Sequence, residues 1–401
     1  MGTKYLPVGS VLVLLLNPVF AESNSVAEMF QQGRTSLDIR YRVEEVSQDN
    51  ALKDATASTI RTRLGFETDV YRQFNAFIEF EDIHSVGDDD YNSTTNGNTE
   101  FSAILDPEST EPNQAYLNYQ WGSTRLRYGR QRMALDNQRF IGNNGWRQNE
   151  QTIDGLTVMN TAFEGSRIIY AYMSGVQRIF GEDSPIGELD MDSHLLNYRY
   201  QQLNGNSLTA YGYFLEMEKP ALSARSNKTV GLRYKASFDA VGMKWLYTLE
   251  YAEQSDYADG ASIIDAEYSL LEFGVKNSNQ WVTKIAVETL GGDGTYALQT
   301  PLATVDAFNG YADIFAAITP PDGLVDQYLS LSGPFLGLQF DLSYHRFRSD
   351  NDNIDYGDEW DFQLTKRFDE HYLIGLKFAA YAADDFAVDT DKLWAWVEVT
   401  F

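Results

Sequence analysis

The sequence predicts an all-β fold, a transmembrane antiparallel up-and-down β-barrel of about eighteen strands, with about sixteen as the alternative count. Three observations carry this. Segments of about ten residues alternate apolar and polar side chains, the period of a strand with one wet and one greasy face. Short and long connections between those segments take turns along the chain, as tight periplasmic turns and long extracellular loops would. The chain also ends on an alternating segment in which Leu393, Ala395, Val397, Val399 and Phe401 share a face.

Composition narrows the class further. The 401 residues carry a formal charge of −27, with a pI near 4.4 and a mean hydropathy of −0.37. Such acidity excludes a phosphate backbone as the main partner, since nucleic-acid binding needs a basic surface. Cysteine is absent, so disulfides and thiolate metal sites are excluded. Gly is frequent at 30, Pro is scarce at 10, and aromatics reach 14%, a strand-rich balance.

The first segment reads as a secretory signal, cleaved after Ala21. Lys4 supplies the positive end, the residues from Val11 to Leu16 the apolar core, and Val19-Phe20-Ala21 the small-residue site. The apolar run is too short for a membrane anchor of about 20 residues. Residues 22–34 then read as a periplasmic lead-in and 35–401 as a single barrel domain.

The strands follow in order. In 36–46, Leu37, Ile39, Tyr41 and Val43 oppose Asp38, Arg40, Arg42 and Glu44. In 58–68, Ile60, Thr62, Leu64 and Phe66 oppose Arg61, Arg63 and Glu67. In 74–85, Ala76, Ile78 and Phe80 oppose Glu79 and Glu81, and in 115–121 Leu117, Tyr119 and Trp121 oppose Asn118 and Gln120. Later segments keep the pattern at 207–217, 241–251, 268–275, 281–289, 336–347, 360–368 and 393–401. Short connections are expected near 69–73, 122–123, 161–165, 202–206, 238–240, 276–279, 333–334 and 368–370. Long ones are expected near 47–57, 86–113, 133–151, 175–192, 220–227, 255–264, 291–325, 349–356 and 384–389. Aromatics gather near many strand ends, as in an interfacial girdle.

The stretch 121–154 stands apart. One strand runs into a loop dense in Arg, Asn, Gln and Gly, and a second strand begins straight after it. Arg125, Arg127, Arg130, Arg132, Arg139 and Arg147 fall within it, although the chain as a whole is acidic. The loop is expected to line or narrow a pore.

Three blocks resemble the alginate export family of outer-membrane barrels. The first is Lys53-Asp54-Ala55 followed by Ser58-Thr59-Ile60-Arg61-Thr62-Arg63-Leu64-Gly65. The second runs from Tyr128-Gly129-Arg130-Gln131-Arg132 through Asn137-Gln138-Arg139-Phe140-Ile141-Gly142 and Gly145-Trp146-Arg147 to Asp154-Gly155. The third is Ala307-Phe308-Asn309-Gly310-Tyr311-Ala312-Asp313, where Tyr311 departs from the usual Trp. The resemblance implies an outer-membrane pore whose lumen arginines attract an acidic polymer such as polyuronate. The alternating segment ending at Phe401 resembles the C-terminal signature of bacterial outer-membrane proteins, which implies that this strand is read by the barrel-assembly machinery.

The candidate pore-lining and anion-binding residues are therefore Arg40, Arg42, Arg61, Arg63, Arg125, Arg127, Arg130, Arg132, Arg139 and Arg147. Guanidinium forks pair bidentately with carboxylates, those of uronates included. The bland alternative is that these arginines brace the wall against Glu44, Glu67, Glu79 and Glu81 on the same faces. Expected partners are an anionic or sugar solute, outer-membrane lipid and lipopolysaccharide. The acidic runs Asp88-Asp89-Asp90 and Asp350 to Asp358 read as solvated outer loops, since the second lacks EF-hand spacing. His84, His194, His345 and His371 are dispersed and form no metal or Ser/His motif, so no catalytic residue, metal site or cofactor is expected. A general porin and a non-conducting adhesin or receptor barrel are the competing functions. Only the loop at 291–325 is long enough for a lid or a binding surface.

Overall fold

The computed structural model describes residues 23–87, 89–316 and 318–401; the expected signal at 1–21 lies outside the described residues, as does Asp88. Eighteen antiparallel strands close into one barrel. They are β1 (Arg34–Gln48), β2 (Ala55–Glu67), β3 (Phe74–Ser85), β4 (Ser109–Trp121), β5 (Thr124–Arg132) and β6 (Thr152–Asn160). Next come β7 (Ser166–Gln177), β8 (Glu188–Gln201), β9 (Ser207–Leu215), β10 (Asn227–Ala240), β11 (Met243–Asp256) and β12 (Asp265–Lys276). The last third holds β13 (Val282–Leu290), β14 (Leu324–Phe335), β15 (Leu338–Arg348), β16 (Asp355–Phe368), β17 (Tyr372–Ala383) and β18 (Thr390–Thr400).

Every strand pairs with its sequence neighbour, and β18 pairs with β1 from Asp38↔Thr400 to Gln48↔Thr390. Leu37 and Phe401 exchange both backbone hydrogen bonds at 2.8 and 3.0 Å. No edge is left, which a bilayer demands because it offers no partner for bare N–H and C=O groups.

Alternation decides which residues meet lipid. Leu64, Phe80, Leu117, Val230, Leu271 and Ile285 point outward and are exposed, while Arg40, Arg42, Glu44, Arg61, Arg63 and Glu81 on the opposite parity are buried in the lumen. Trp121, Phe163, Phe238, Phe335, Phe368 and Phe401 are exposed beside the short turns and form one aromatic belt.

The eight tight turns and the long loops fall where alternation places them, with two offsets. β10 continues to Ala240 and β14 to Phe335, so these turns are Val241-Gly242 and Leu336-Gly337. All four residues have positive φ (54°, 71°, 51° and 79°), the type I′ geometry that matches strand twist. Val and Leu are unusual there, so the signal was hidden. The second acidic run is also shorter as a loop than expected, because β16 already begins at Asp355. A short helix α1 (Val26–Gln31) precedes β1, capped where Ser25 Oγ accepts from the Glu28 N–H at 3.2 Å. It is tied to the β2–β3 turn through Ser23 N–H to Val70 O at 2.8 Å and Asp69 N–H to Met29 O at 2.9 Å.

The densest packing lies inside the barrel, where two long loops fold into the lumen. Phe140 of the 133–151 loop packs at 5.3 to 6.3 Å on the rings of Tyr211, Tyr213 and Tyr268, which face inward from β9 and β12. Phe315 of the loop between β13 and β14 packs against Phe347, Tyr356, Tyr381 and Phe386. The lumen was expected to be polar. On this side its wall is apolar, because an inserted loop needs an apolar seat to repay the conformational entropy of ordering it.

Candidate functional site: the lumen and its two inserted loops

The two loops bind each other as well as the wall. Gly142 N–H donates to Leu302 O at 2.8 Å, and Val305 N–H donates to Asn144 Oδ1 at 2.8 Å. Thr304 Oγ1 donates to Gln138 Oε1 at 2.8 Å, and Asn144 Nδ2 to Ala303 O at 3.0 Å. Together they form one plug across the barrel. Between this plug and the short-turn end lies a cavity of about 3400 Å³. Its lining runs from Gln73, Gly122 and Gly337 at the turns up to Met133, Asn143, Phe308 and Tyr311 on the loops. Fourteen Lys and Arg residues and thirteen Asp and Glu residues line it, near charge balance in a chain of −27.

Seven of the ten arginines singled out from sequence are tied to carboxylates in or beside the plug. Arg40 reaches the 133–151 loop through Gln148 Oε1 at 3.0 Å and the carbonyls of Gly145 at 3.1 Å and Arg147 at 2.5 Å, with Glu398 3.6 Å away. Arg42 is fully buried, paired to Asp106 and bonded to Trp146 O. Burial disfavours the Asp106 charge, but Arg42, Arg147 and the Gln148 amide outweigh it and hold the carboxyl below the usual range. Arg61 pairs with Asp38 at 2.5 Å; Arg63 pairs with Glu81 and lies 3.6 Å from Glu150. Arg132 grips Glu150 through Nε at 2.7 and 2.8 Å. Arg139 pairs with Glu288 at 3.1 Å, and Arg147 bridges Glu44 at 3.1 Å to Asp313 at 2.9 Å.

Arg130 sits elsewhere. It shares the parity of Tyr128, which is 70% exposed on the outer wall, and it is absent from the cavity lining. Its guanidinium makes two parallel 2.9 Å bonds to Asp154 on β6. Sequence reading grouped it with the loop arginines, but its guanidinium is taken up by the neighbouring strand, whereas Arg132 at the end of β5 turns in to Glu150 of the loop.

Arg125 and Arg127 behave differently from the rest. Both line the cavity, and among the described residues neither has a carboxylate within 4.0 Å. Arg127 donates to Asn118 at 2.8 Å and lies 3.8 Å over the Tyr116 ring; Arg125 lies 3.9 Å from Met159 Sδ. Three further cations, missed in the sequence, continue this arc: Arg167 on β7, Arg199 on β8 and Lys235 on β10. Arg167 and Arg199 stand directly opposite each other across the strand pair. Among the described residues neither has a carboxylate partner, and the Nε of each is buried and unbonded. Parity was the available signal, since Arg167 shares the inward face of Ile169 and Ala171, and Arg199 that of Leu195 and Asn197. Single arginines on otherwise apolar or neutral faces gave no cluster to notice.

The opposite wall is acidic. Glu288, Asp326, Glu359 and Asp361 cluster with His345 under residues 309–312 of the plug. No cluster suited to a metal ion occurs among the described residues.

With this geometry in view, the alginate export family model matches residues 32–300. The chain belongs to the alginate export family. This alginate export family barrel also matches solved outer-membrane channels, at identities that speak to fold alone. Acinetobacter baumannii OccAB4 aligns with a TM-score of 0.71 and 15% identity over 92% of this chain and 98% of that one. Pseudomonas aeruginosa OccK9 (OpdG) gives 0.73 and 11%, covering 93% and 100%. Pseudomonas aeruginosa OpdK, solved with vanillate, gives 0.71 and 14%, covering 93% and 99%. No functionally curated protein matches the chain. The protein is an outer-membrane β-barrel with the fold of the porin-type channels.

Proposed function

We propose that this alginate export family barrel passes anionic solutes passively, with acidic oligosaccharides such as oligouronates as the solute class, and that it performs no chemistry on them. The observation that carries the reading is the arc of Arg125, Arg127, Arg167, Arg199 and Lys235 along the cavity wall, none of which has a carboxylate partner among the described residues. Like charges held directly opposite each other on a sheet cost stability, by roughly 0.2–1 kcal/mol. A bracing role would supply each with an acid, as it does for Arg42, Arg63 and Arg147. Cations left open to a water-filled cavity attract anions instead. That OpdK, of the same fold, was solved with vanillate, itself a carboxylate, fits this reading.

A second reading has its own support. Arg61 braces β2 against Asp38 of β1, and the paired arginines Arg40, Arg42, Arg63, Arg132, Arg139 and Arg147 hold the plug, so a general diffusion porin needs no anion path through them. Reversal potential in a planar bilayer under a KCl gradient separates the two. Anion preference, with block by added oligouronate, supports the first; cation preference without block leaves the general porin. We further propose lipopolysaccharide around the outer wall and recognition of β18, ending at Phe401, by the barrel-assembly machinery.

A further inference from the structure

We propose that His345 is a proton-operated latch, which holds the 291–323 loop in the lumen while its imidazole is charged and releases it when the proton leaves. This rests on the channel reading, and goes beyond it by giving the pore a closed and an open state set by pH.

The ring has a carboxylate at each nitrogen. Nδ1 lies 2.9 and 3.0 Å from the two oxygens of Asp326, and Nε2 lies 3.6 Å from Asp361. A neutral imidazole has one N–H and one lone pair, so one of these carboxylates would then face a lone pair. Only the imidazolium serves both, and histidine is the side chain that changes charge near neutral pH.

Those same two carboxylates hold the plug. Asp326 accepts from Asn309 Nδ2 at 3.2 Å, and Asp361 accepts from the Tyr311 N–H at 3.2 Å. Glu288 shares Asn309 Nδ2 at 2.8 Å, and Glu359 accepts the Ala312 N–H at 2.7 Å. Gly310 fits between them because it has φ +84° and because a Cβ there would strike the Glu359 carboxylate. The loop is thus fastened by donors to four carboxylates, and His345 lies between two of them.

The charged surroundings make the histidine decisive. From the strands come Glu288 on β13, Asp326 on β14, Asp341 on β15, and Glu359 and Asp361 on β16. Behind the Tyr328 ring, β12 adds Glu272. On the cationic side, Arg139 pairs with Glu288 at 3.1 Å, and Lys377 of β17 lies 3.3 Å from Asp306 of the loop and 3.7 Å from the Tyr311 ring. Lys392 of β18 and Arg147 are taken up by Asp313, at 3.8 and 2.9 Å. Loss of the imidazolium charge leaves Asp326 and Asp361 without a counter-charge between them, and their repulsion falls on the bonds to Asn309 and Tyr311. The ring also lines the cavity, so vestibule water delivers and removes the proton.

The test is single-channel recording from about pH 5.5 to about 8.5, across the histidine range. The wild-type open fraction is expected to rise with pH by about tenfold, equivalent to about 1.4 kcal/mol. His345→Gln is expected to be open throughout. Asp361→Asn is expected to stay closed throughout, since a neutral His345 then serves Asp326 and accepts from the new amide. A wild-type channel that conducts equally at every pH, or a His345→Gln variant with the wild-type response, overturns the latch.

A second readout does not need current. The chain has no cysteine and Ala312 is 2% exposed, so Ala312→Cys reports loop release to a charged thiol reagent. At one fixed pH below neutrality, faster labelling in the His345→Gln background supports the latch, and equal labelling overturns it. Absence of current at every pH counts against the channel reading alone.

Discussion

At the scale of single residues, the arginines divide by whether an acid faces them. Arg42 is fully buried against Asp106, so Arg42→Ala would strand a buried carboxylate. We expect that variant to lose about 3–5 kcal/mol, read as a lower unfolding midpoint in denaturant. Arg167 and Arg199 oppose each other without such a partner. Replacing both with Gln is expected to leave the midpoint unchanged or higher and to move the reversal potential toward cations. A midpoint that fell as for Arg42 would mean the pair has a structural job and would remove the main support for the anionic reading. The division was not legible in sequence. Arg40, Arg42, Arg61 and Arg63 are buried on one parity of β1 and β2, but the partners of Arg40, Arg42 and Arg63 include loops that arrive much later. Arg147 and Arg139 meet Asp313 and Asn309, 166 and 170 positions onward, at separations that no local pattern encodes.

At the scale of elements, the strands were readable because a period of two is the direct imprint of a wall with lipid outside and water inside. The turns at Val241-Gly242 and Leu336-Gly337 were displaced because their residues do not advertise positive φ. The inserted loops were the least legible part. Phe140 and Phe315 read as loop residues, and only the fold reveals that the inner faces of β9, β12, β15 and β16 are shaped to receive them. The 307–313 block is the sharpest point of contact. Gly310→Ala would demand a strained backbone, costing about 1–3 kcal/mol, as well as displacement of Glu359. We expect a higher conductance from a loosened plug with no change in global unfolding of the barrel. An unchanged conductance would show that this part of the loop does not narrow the path.

At the scale of the whole molecule, charge is segregated. The cavity lining is near balance while the chain carries −27, so the excess acid lies away from this cavity. Selectivity resting on a few open cations must then fade as salt screens them. The Debye length falls from about 10 Å at about 0.1 M to about 3 Å at about 1 M. Anion preference measured at low salt should shrink toward neutrality at high salt. A preference indifferent to salt would point to a steric filter at the plug.

The placement of the plug's anchors also ties the plug to the seam of the barrel. Arg42 and Glu44 hold it from β1, while Lys392 and the rings of Trp394 and Trp396 hold it from β18. The first and last strands of the chain therefore share one cargo. A wall that closed without the loops would leave those side chains, and the apolar seats of Phe140 and Phe315, facing water. The seam between β1 and β18 is therefore both a joint of the wall and a clasp around its contents.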